Sequence, residues 1–256
     1  MTGDASPGEL MVALAAREIA DRETVFVGMR LPLIAFVVAK RTHAPDAIGL
    51  FELGIVRDTP AAELLYTMGD TPNVRGALWC ARTVDLMGLL QRGEVDAGFI
   101  GGAEMDRHGN INTTAIGGPR DHPAVQLPGS GGGADIASLA KRLIVIMPHD
   151  RKRLRERVDF VTSPGYGTGG GWRRSVGLVR GGPAVLITSR GVFRFRDGEA
   201  TLESYHPRSS VADCVANTGW PLRVAEDVHP TEPPSPEMLA LIRSYDPSAF
   251  WTGRAE

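Results

Sequence analysis

The chain has little of what marks several specialised classes of protein. Its 256 residues include only two cysteines, Cys80 and Cys214, which lie far apart and form no CxxC pair. A disulfide framework and a cysteine-rich zinc site are therefore not expected. No apolar run approaches the length of a membrane span, and Met1 to Gly8 lack the basic start and apolar core of a signal peptide. We expect a protein of the reducing cytoplasm with no membrane partner.

An excess of charge of one sign is also absent. The 28 Lys and Arg residues face 30 Asp and Glu residues, for a net charge of −2, which gives no electrostatic reason to expect a nucleic-acid partner. His108, His122 and His149 show no metal-ligand spacing, so no metal site is expected. Glycine, in contrast, is abundant. Many of the 31 glycines gather in a few clusters, as is typical of loops where backbone must approach something closely.

Helical and strand-like patterns alternate through the first half of the chain. Apolar residues at helical spacing precede short apolar strands at residues 10–19 and 24–28, 31–39 and 47–51, and 84–91 and 95–100. A further helix, Ile136–Arg142, precedes the apolar run 143–147. This alternation predicts an α/β fold with an open, mostly parallel sheet and helices on both faces. Because no low-complexity linker or repeat interrupts the chain, we expect one domain over residues 1–256.

The second half of the chain predicts an antiparallel edge to that sheet. Segments 158–162, 184–188 and 192–195 are strand-like, and Arg190-Gly191 and Asp197-Gly198 are typical hairpin turns.

Two further segments are predicted as helices. The basic run 150–157 is predicted to be a solvated helix face, and a last helix over Ser235–Ser244 is predicted to begin at a Ser235 N-cap.

Glu52 is the first candidate for chemistry. It stands in an otherwise apolar run at the predicted carboxyl end of a parallel strand, which is the end of such strands where ligands bind. Gly54, two residues later, allows a sharp turn that would expose a poorly hydrated carboxylate, and such a group is a competent nucleophile. The alternatives are a glutamate paired with a buried arginine and one that is simply exposed after the strand.

The second candidate is the glycine loop Leu127–Ile136. Its residues Gly131, Gly132 and Gly133 precede a predicted helix, where exposed amides can hold an anion or stabilise an oxyanion. The loop matches neither the dinucleotide fingerprint nor the Walker motif. It could instead be a flexible connector with Asp135 as a helix cap.

The third candidate is the segment from Gly101 and Gly102 through Asn110 and Asn112 to Thr114, directly after a predicted strand. Its alternating polar side chains could bind a substrate or only satisfy a buried loop. Ser130 has no convincing His or Asp partner in the sequence, so a serine hydrolase is weakly supported.

Together these features resemble the β subunit of the class I coenzyme A transferases, of the glutaconate and 3-oxoacid type. The resemblance runs from about Thr24 to the final helix and includes segments 127–136, 158–165, 191–195, 205–207 and 216–219. It implies the NagB/RpiA-like CoA-transferase fold. It also implies an α-subunit partner in an α₂β₂ or larger assembly, because the chain contains no partner-type Gly-x-Gly-Gly-Phe loop.

By this resemblance, Glu52 is the catalytic residue of the family's Glu-x-Gly turn. Its carboxylate would carry coenzyme A as a glutamyl thioester between an acyl-CoA donor and a carboxylic acid, with ping-pong kinetics. The residues expected to bind CoA or substrate are Gly54, Gly101, Gly102, Asn110, Asn112, Gly131, Gly132, Gly133 and Asp135. Coenzyme A is a substrate in such enzymes, and no permanent cofactor is implied.

The chain departs from the family pattern at Leu53, where better-known members follow the glutamate with a small or polar residue. This puts the identity of the acceptor acid in question. Relatives of the fold that hydrolyse CoA thioesters or open the ring of a cyclic β-keto thioester are the alternative, although the intact Glu-x-Gly turn favours transfer. A non-catalytic CoA-binding subunit is a more remote alternative.

Overall fold

A computed structural model describes residues 5–119, 121–178 and 180–253. Residues 1–4, part of the segment where no signal peptide is expected, lie outside the described residues. In chain order the elements are α1 (Pro7–Arg17), β1 (Thr24–Phe26), α2 (Leu31–Arg41), β2 (Ile48–Phe51), β3 (Ile55–Arg57), α3 (Thr71–Val74), β4 (Trp79–Cys80), α4 (Thr83–Arg92), β5 (Ala97–Ile100), β6 (Glu104–Met105), β7 (Ile111–Asn112), β8 (Ala115–Ile116), β9 (Val125–Gln126), α5 (Gly133–Leu139), β10 (Arg142–Met147), α6 (Trp172–Ser175), β11 (Pro183–Thr188), β12 (Gly191–Arg196), β13 (Glu199–Tyr205), α7 (Val211–Ala216), β14 (Arg223–Pro230) and α8 (Pro236–Tyr245). None of the described helices is both long and apolar enough to cross a membrane.

The chain divides into two compact units. Unit 1 comprises the residues up to Phe99 and those from Glu232 onward, and unit 2 comprises Ile100–Thr231. The predicted single domain over residues 1–256 stays a prediction. Both cysteines are free thiols.

Unit 1 is built on strands in the order β5-β1-β2-β3-β4. Strand β1 pairs in parallel with β2 and β5, and β2, β3 and β4 are antiparallel neighbours. Helix α2 is apolar on all sides and almost entirely buried, as expected for a helix in a core. Phe36 of α2 meets Phe51 of β2 edge to face at 5.9 Å between ring centroids.

The two ends of unit 1 are joined by polar contacts. A capping box between Ser6 and Glu9 starts α1, and the Glu9 carboxylate accepts a 2.7 Å hydrogen bond from Arg243 of α8. Helix α8 starts at the predicted N-cap, since Ser235 Oγ accepts from the Met238 N–H.

Unit 2 contains strands in the order β14-β13-β12-β11-β10. Strands β10 and β11 are parallel, β11, β12 and β13 form the predicted antiparallel hairpins, and β14 pairs in parallel with β13. The Asp197-Gly198 turn between β12 and β13 has positive φ at both residues, 53° and 75°, as a type I′ hairpin requires. The mixed α/β architecture, with parallel strands and covering helices, confirms the predicted fold class.

Three local predictions for unit 2 are wrong. Segment 158–162 contains no strand, and the basic run 150–157 contains no helix. Instead, Leu154 and Arg155 form isolated bridges with Met105 and Gly219. Helix α5 begins at Gly133 and ends at Leu139, three residues ahead of the predicted Ile136–Arg142, because Arg142 already belongs to β10.

Buried histidines tie the strands of unit 2 to their connections. His149 contacts the hydroxyls of Thr188 and Thr218, both at 3.1 Å. His206 contacts the Thr231 hydroxyl and the Thr188 carbonyl oxygen at 3.0 and 2.7 Å. Burial, with a further contribution from the charge of Arg190 at His149, lowers the pKa of each ring from 6.5 to about 4, so both rings are neutral at pH 7.

Candidate active site

Glu52 lies in a three-residue turn between β2 and β3 in unit 1. The turn closes with a 2.9 Å hydrogen bond from the Gly54 N–H to the Phe51 carbonyl oxygen, and Phe51 pairs with Ile55 across it. Gly54 has φ +96°, and a Cβ there would lie 2.1 Å from the Ala81 carbonyl oxygen. Only glycine fits this position, which explains the Glu-x-Gly spacing in conformational terms.

The predicted location of Glu52 is confirmed, because the residue directly follows the carboxyl end of β2, a strand parallel to β1. Its side chain is half-buried. The neighbouring Leu53 is 57% exposed, and its Cδ1 atom lies against Gly69, where an added Cβ would come within 2.7 Å. The carboxylate therefore stands between an apolar neighbour and the closed backbone of the turn, so its hydration is restricted on one side.

The other predicted site residues all lie in unit 2. Gly101 and Gly102 follow β5 in a tightly packed connection: a Cβ on Gly102 would lie 2.4 Å from Ile111 Cγ2, and one on Gly101 would lie 3.1 Å from the Ile146 carbonyl oxygen. Both glycines thus let two strands approach closely. Packing alone explains their presence, and their role in binding stays a prediction.

Asn112 is fully buried and paired directly opposite Glu104 across the β6–β7 ladder. Asn112 Nδ2 donates to Glu104 Oε2 and to the Ala115 carbonyl oxygen, both at 2.7 Å. Glu104 is itself fully buried and accepts further hydrogen bonds from Arg155 and from the Asp159 N–H. The amide of Asn112 therefore fixes the loop through a buried polar network.

Asn110 forms a second buried cluster. Its Nδ2 donates to both carboxylate oxygens of Asp106 and to the Gly167 carbonyl oxygen, while its Oδ1 accepts from the N–H groups of Gly165 and Gly167. Burial raises the pKa of Asp106, and hydrogen bonds from Asn110 and His108 oppose that rise. Both polar atoms of the Asn110 amide are thus engaged within unit 2, so its contribution to a site would act through the position of the loop.

Neither Glu104 nor Asp106 is predicted from the sequence as a partner of these amides. A signal is nevertheless present in the spacing: acid and amide residues are arranged symmetrically about the His108-Gly109 turn, with Glu104 opposite Asn112 and Asp106 near Asn110. Such symmetry is expected when cross-strand neighbours interact.

The glycine loop is held against the segment that follows Asn112. The Leu127 and Gly129 N–H groups donate to the carbonyl oxygens of Thr114 and Thr113 at 2.9 and 2.8 Å, and the Thr113 hydroxyl donates to the Gly129 carbonyl oxygen at 2.8 Å. The structure thus brings the second and third candidate segments together within unit 2.

Within the loop, Gly132 is the N-cap of α5 and Gly133 its first residue. The Gly133 N–H donates to the Ser130 carbonyl oxygen at 2.8 Å. Gly131 has φ +47° and is exposed, and Asp135 is exposed in the first turn of the helix.

Unit 2 also contains an open pocket of about 1220 Å³. Its lining includes Asn110, His108, the cations Arg107 and Arg157, and the ring of Trp172. Arg107 is paired with Glu156 at 3.1 Å. Among the described residues, no group of three His, Cys, Asp or Glu side chains lies close enough to hold a metal ion.

Comparison with known proteins identifies the class to which this fold and turn belong. The family model described as coenzyme A transferase matches residues 9–217. The chain belongs to the coenzyme A transferase family.

Within the family, the chain is similar to the second subunits of two-chain enzymes. It is 35% identical to the second of the two subunits of 3-oxoadipate CoA-transferase from Pseudomonas knackmussii, over 94% of this chain and 93% of that protein. It superposes on the crystal structure of glutaconate coenzyme A-transferase from Acidaminococcus fermentans with a TM-score of 0.90, at 32% identity and 98% coverage of both chains.

Two other activities occur among similar proteins. The decarboxylase AibA/AibB superposes with a TM-score of 0.84, at 31% identity over 96% of this chain and 97% of that one. The cholesterol ring-cleaving hydrolase IpdB subunit of Rhodococcus jostii is 27% identical over 83% of this chain and 80% of that protein. The fold and family therefore have to be combined with the site residues to assign an activity.

Proposed function

We propose that this chain is the β subunit of a heteromeric CoA-transferase that moves coenzyme A from an acyl-CoA to a carboxylic acid. The observation that carries the proposal is Glu52, a half-buried carboxylate on a glycine-closed turn at the carboxyl end of a parallel strand, in a chain of this family. Relatives that are named as one of two subunits imply a separate partner chain, and we propose an α subunit in an α₂β₂ or larger complex acting in the cytoplasm.

The proposed reaction has two reversible halves. A Glu52 oxygen attacks the thioester carbonyl carbon, the C–S bond breaks, and a mixed anhydride and CoA thiolate form. The thiolate then attacks the Glu52 carbonyl carbon, which releases the first acid as its carboxylate and leaves a glutamyl-CoA thioester. A second carboxylate takes the CoA by the same steps in reverse, so the thioester energy is conserved and no cofactor is required.

The glycine loop is proposed to assist this chemistry. Amides of Gly131, Gly132 and Gly133 lie in a segment without side chains, where a thioester oxygen could approach and accept hydrogen bonds as negative charge develops. Gly101, Gly102, Asn110, Asn112 and Asp135 are proposed to shape the same binding surface, the two asparagines by fixing the loops that carry it.

We further propose that the reacting acids are dicarboxylic. Glutaconate and 3-oxoadipate, named in the two transferase relatives, both carry a second carboxylate at the end opposite the thioester. The substrate of this chain would then be the mono-CoA thioester of a short dicarboxylic acid.

Mass spectrometry of the complex with its partner tests the mechanism. After incubation with a panel of acyl-CoAs, we expect a CoA adduct that borohydride reduction maps to Glu52. Glu52→Gln should lose the adduct and lower transfer by roughly 1,000-fold or more. Glu94→Gln is the matched control, because Glu94 precedes β5, at the amino end of the strands, in an exposed ion pair with Arg92.

Two results would contradict this mechanism. One is a Glu52→Gln complex that still transfers CoA at a near-normal rate. The other is steady release of CoA into water without an adduct, which would favour the thioester hydrolase alternative, with Glu52 directing a water molecule.

A further inference from the structure

Arg30 has an unusual backbone conformation in unit 1. It stands in the connection between β1 and α2 and has φ 72° and ψ −119°. Non-glycine residues rarely adopt such a conformation, and those that do are concentrated at ligand-binding and catalytic sites. The strain calls for an explanation in terms of where it puts the side chain.

The strained backbone places the guanidinium on an aromatic ring. Arg30 Cζ lies 5.5 Å from the ring centroid of Trp251, within the range of a cation–π interaction. Among the residues that the structure describes, no carboxylate pairs with this guanidinium, and its side chain is exposed. Its hydrogen-bond donors are therefore open to an anion from solution.

Trp251 is itself held firmly. Its indole Nε1 donates to the Leu65 carbonyl oxygen at 2.8 Å, and its backbone N–H donates to the buried Asp246 carboxylate at 3.0 Å. Phe250 packs edge to face on Trp251 and on Tyr66, with centroids 4.7 and 4.8 Å apart. The cation therefore rests on a fixed aromatic surface, which lowers the entropic cost of using it to bind a ligand.

Arg30 and Glu52 lie beyond the same ends of neighbouring parallel strands. Phe26 of β1 is paired with Leu50 of β2, and the Val27 N–H donates to the Leu50 carbonyl oxygen at 2.8 Å. Adjacent strands are about 4.8 Å apart, and both residues follow the last paired positions at the carboxyl edge. The cation and the carboxylate thus face one ligand-binding edge of unit 1.

We propose that Arg30 is a specificity-determining residue that binds the distal carboxylate of a dicarboxylic acyl group while its thioester reacts at Glu52. The proposal rests on the proposed function and adds the residue that recognises the acid. A guanidinium suits this role because its planar fork forms two parallel hydrogen bonds to a carboxylate, and because it is weakly hydrated and stacks on aromatic rings. Arg30 would not take part in bond making.

The test compares two donors that differ only in the distal group, glutaryl-CoA and pentanoyl-CoA, with acetate as acceptor and the complete complex with its partner. Arg30→Gly removes the guanidinium and suits the positive φ, so we expect it to fold normally. We expect the ratio of kcat/KM for glutaryl-CoA to that for pentanoyl-CoA to fall about 10- to 100-fold. Arg30→Gln should lower the ratio similarly, and Arg30→Lys should restore part of it.

Arg22→Gly is the matched control. Arg22 also has a positive φ, 63°, and an exposed side chain, but it precedes β1 at the opposite end of the strand. The substitution removes the same charge from unit 1 and should leave the donor ratio within about 2-fold of the wild-type value.

Two kinetic results would overturn the proposal. One is a donor ratio in the Arg30 variants that stays within about 2-fold of wild type. The other is an equal loss with both donors, which would mean that the guanidinium contacts the phosphates of CoA.

A binding experiment separates this proposal from the proposed function. Titration calorimetry of free glutarate into the Glu52→Gln complex should show binding that Arg30→Gly abolishes, with pentanoate as the comparison ligand. If the wild-type complex transfers no CoA but glutarate binding depends on Arg30, the proposed function fails and the Arg30 assignment stands. If transfer proceeds through Glu52 and glutarate binding does not depend on Arg30, the assignment fails alone.

Discussion

The carboxamide of Asn112 and the carboxylate of Glu104 form a 2.7 Å hydrogen bond between two fully buried side chains. The same carboxylate also accepts from Arg155 and from the Asp159 N–H. A buried charge with this many partners is costly to disturb, since each partner loses its own hydrogen bond when the carboxylate is removed.

We therefore expect Glu104→Gln to lower the free energy of unfolding by about 3 kcal/mol. Urea unfolding followed by circular dichroism measures this. The matched control is Glu203→Gln in the same unit, whose carboxylate also pairs with an arginine, Arg194, but at a partly exposed position; it should cost less than about 1 kcal/mol. Equal losses in the two variants would contradict a special role for the buried cluster.

Gly54→Ala is expected to damage the turn that carries Glu52. The added Cβ would meet the Ala81 carbonyl oxygen at 2.1 Å in addition to the unfavourable φ of +96°. We expect a loss of about 3 kcal/mol in the free energy of unfolding and a fall in kcat.

The control for this substitution is Gly76→Ala, at φ +71°, where the nearest atom, Arg57 Nη2, is 3.8 Å away. It isolates the backbone cost of about 1 kcal/mol. If both variants lose the same stability, the contact with Ala81 is not what demands glycine in the turn.

Acid should destabilise the protein through His149 and His206. Each ring has a pKa of about 4 in the folded state, against a reference value of 6.5, so between these values the unfolded chain binds more protons than the folded one. Stability therefore rises with pH across this window, and each histidine contributes a slope of at most about 1.4 kcal/mol per pH unit.

Urea unfolding at pH 7 and pH 5 checks this. His206→Gln cannot be protonated, so we expect its loss of stability on acidification to be smaller than that of the wild type. His229→Gln, at an exposed position on β14, should keep the full pH dependence. A wild-type free energy of unfolding that is the same at both pH values would refute the assignment.

The elements best predicted from the sequence are those specified by local chemistry. Helix α2 follows from an apolar run at helical spacing, the start of α8 from Ser235, and the β12–β13 turn from Asp197-Gly198. Gly54 predicts the sharp turn after Glu52 because its left-handed φ is a local requirement.

The elements that are predicted wrongly depend on distant residues. Segment 158–162 is apolar enough for a strand, but the Asp159 N–H and carboxylate are bound to Glu104, Arg155 and Gly117. Likewise the basic run 150–157 has no helix because Leu154 and Arg155 bond in extended form to Met105 and Gly219. Such contacts leave no periodic signal in the segment itself.

Arg30 illustrates the same limit at the candidate site. Nothing in its local sequence predicts a positive φ, and its aromatic partner lies near the other end of the chain. In contrast, Glu52 is predictable because a charged residue interrupts an apolar strand just before a glycine.

The interrupted sequence of unit 1 has a consequence for synthesis. On the ribosome, all of unit 2 emerges before α8 and the segment that contains Trp251. The Glu9–Arg243 ion pair and the seat of Arg30 on Trp251 thus form only after synthesis is nearly complete. Incomplete chains that stop before Glu232 would expose the faces of α1 and α2 that α8 covers, and would lack the Trp251 ring that supports the Arg30 guanidinium.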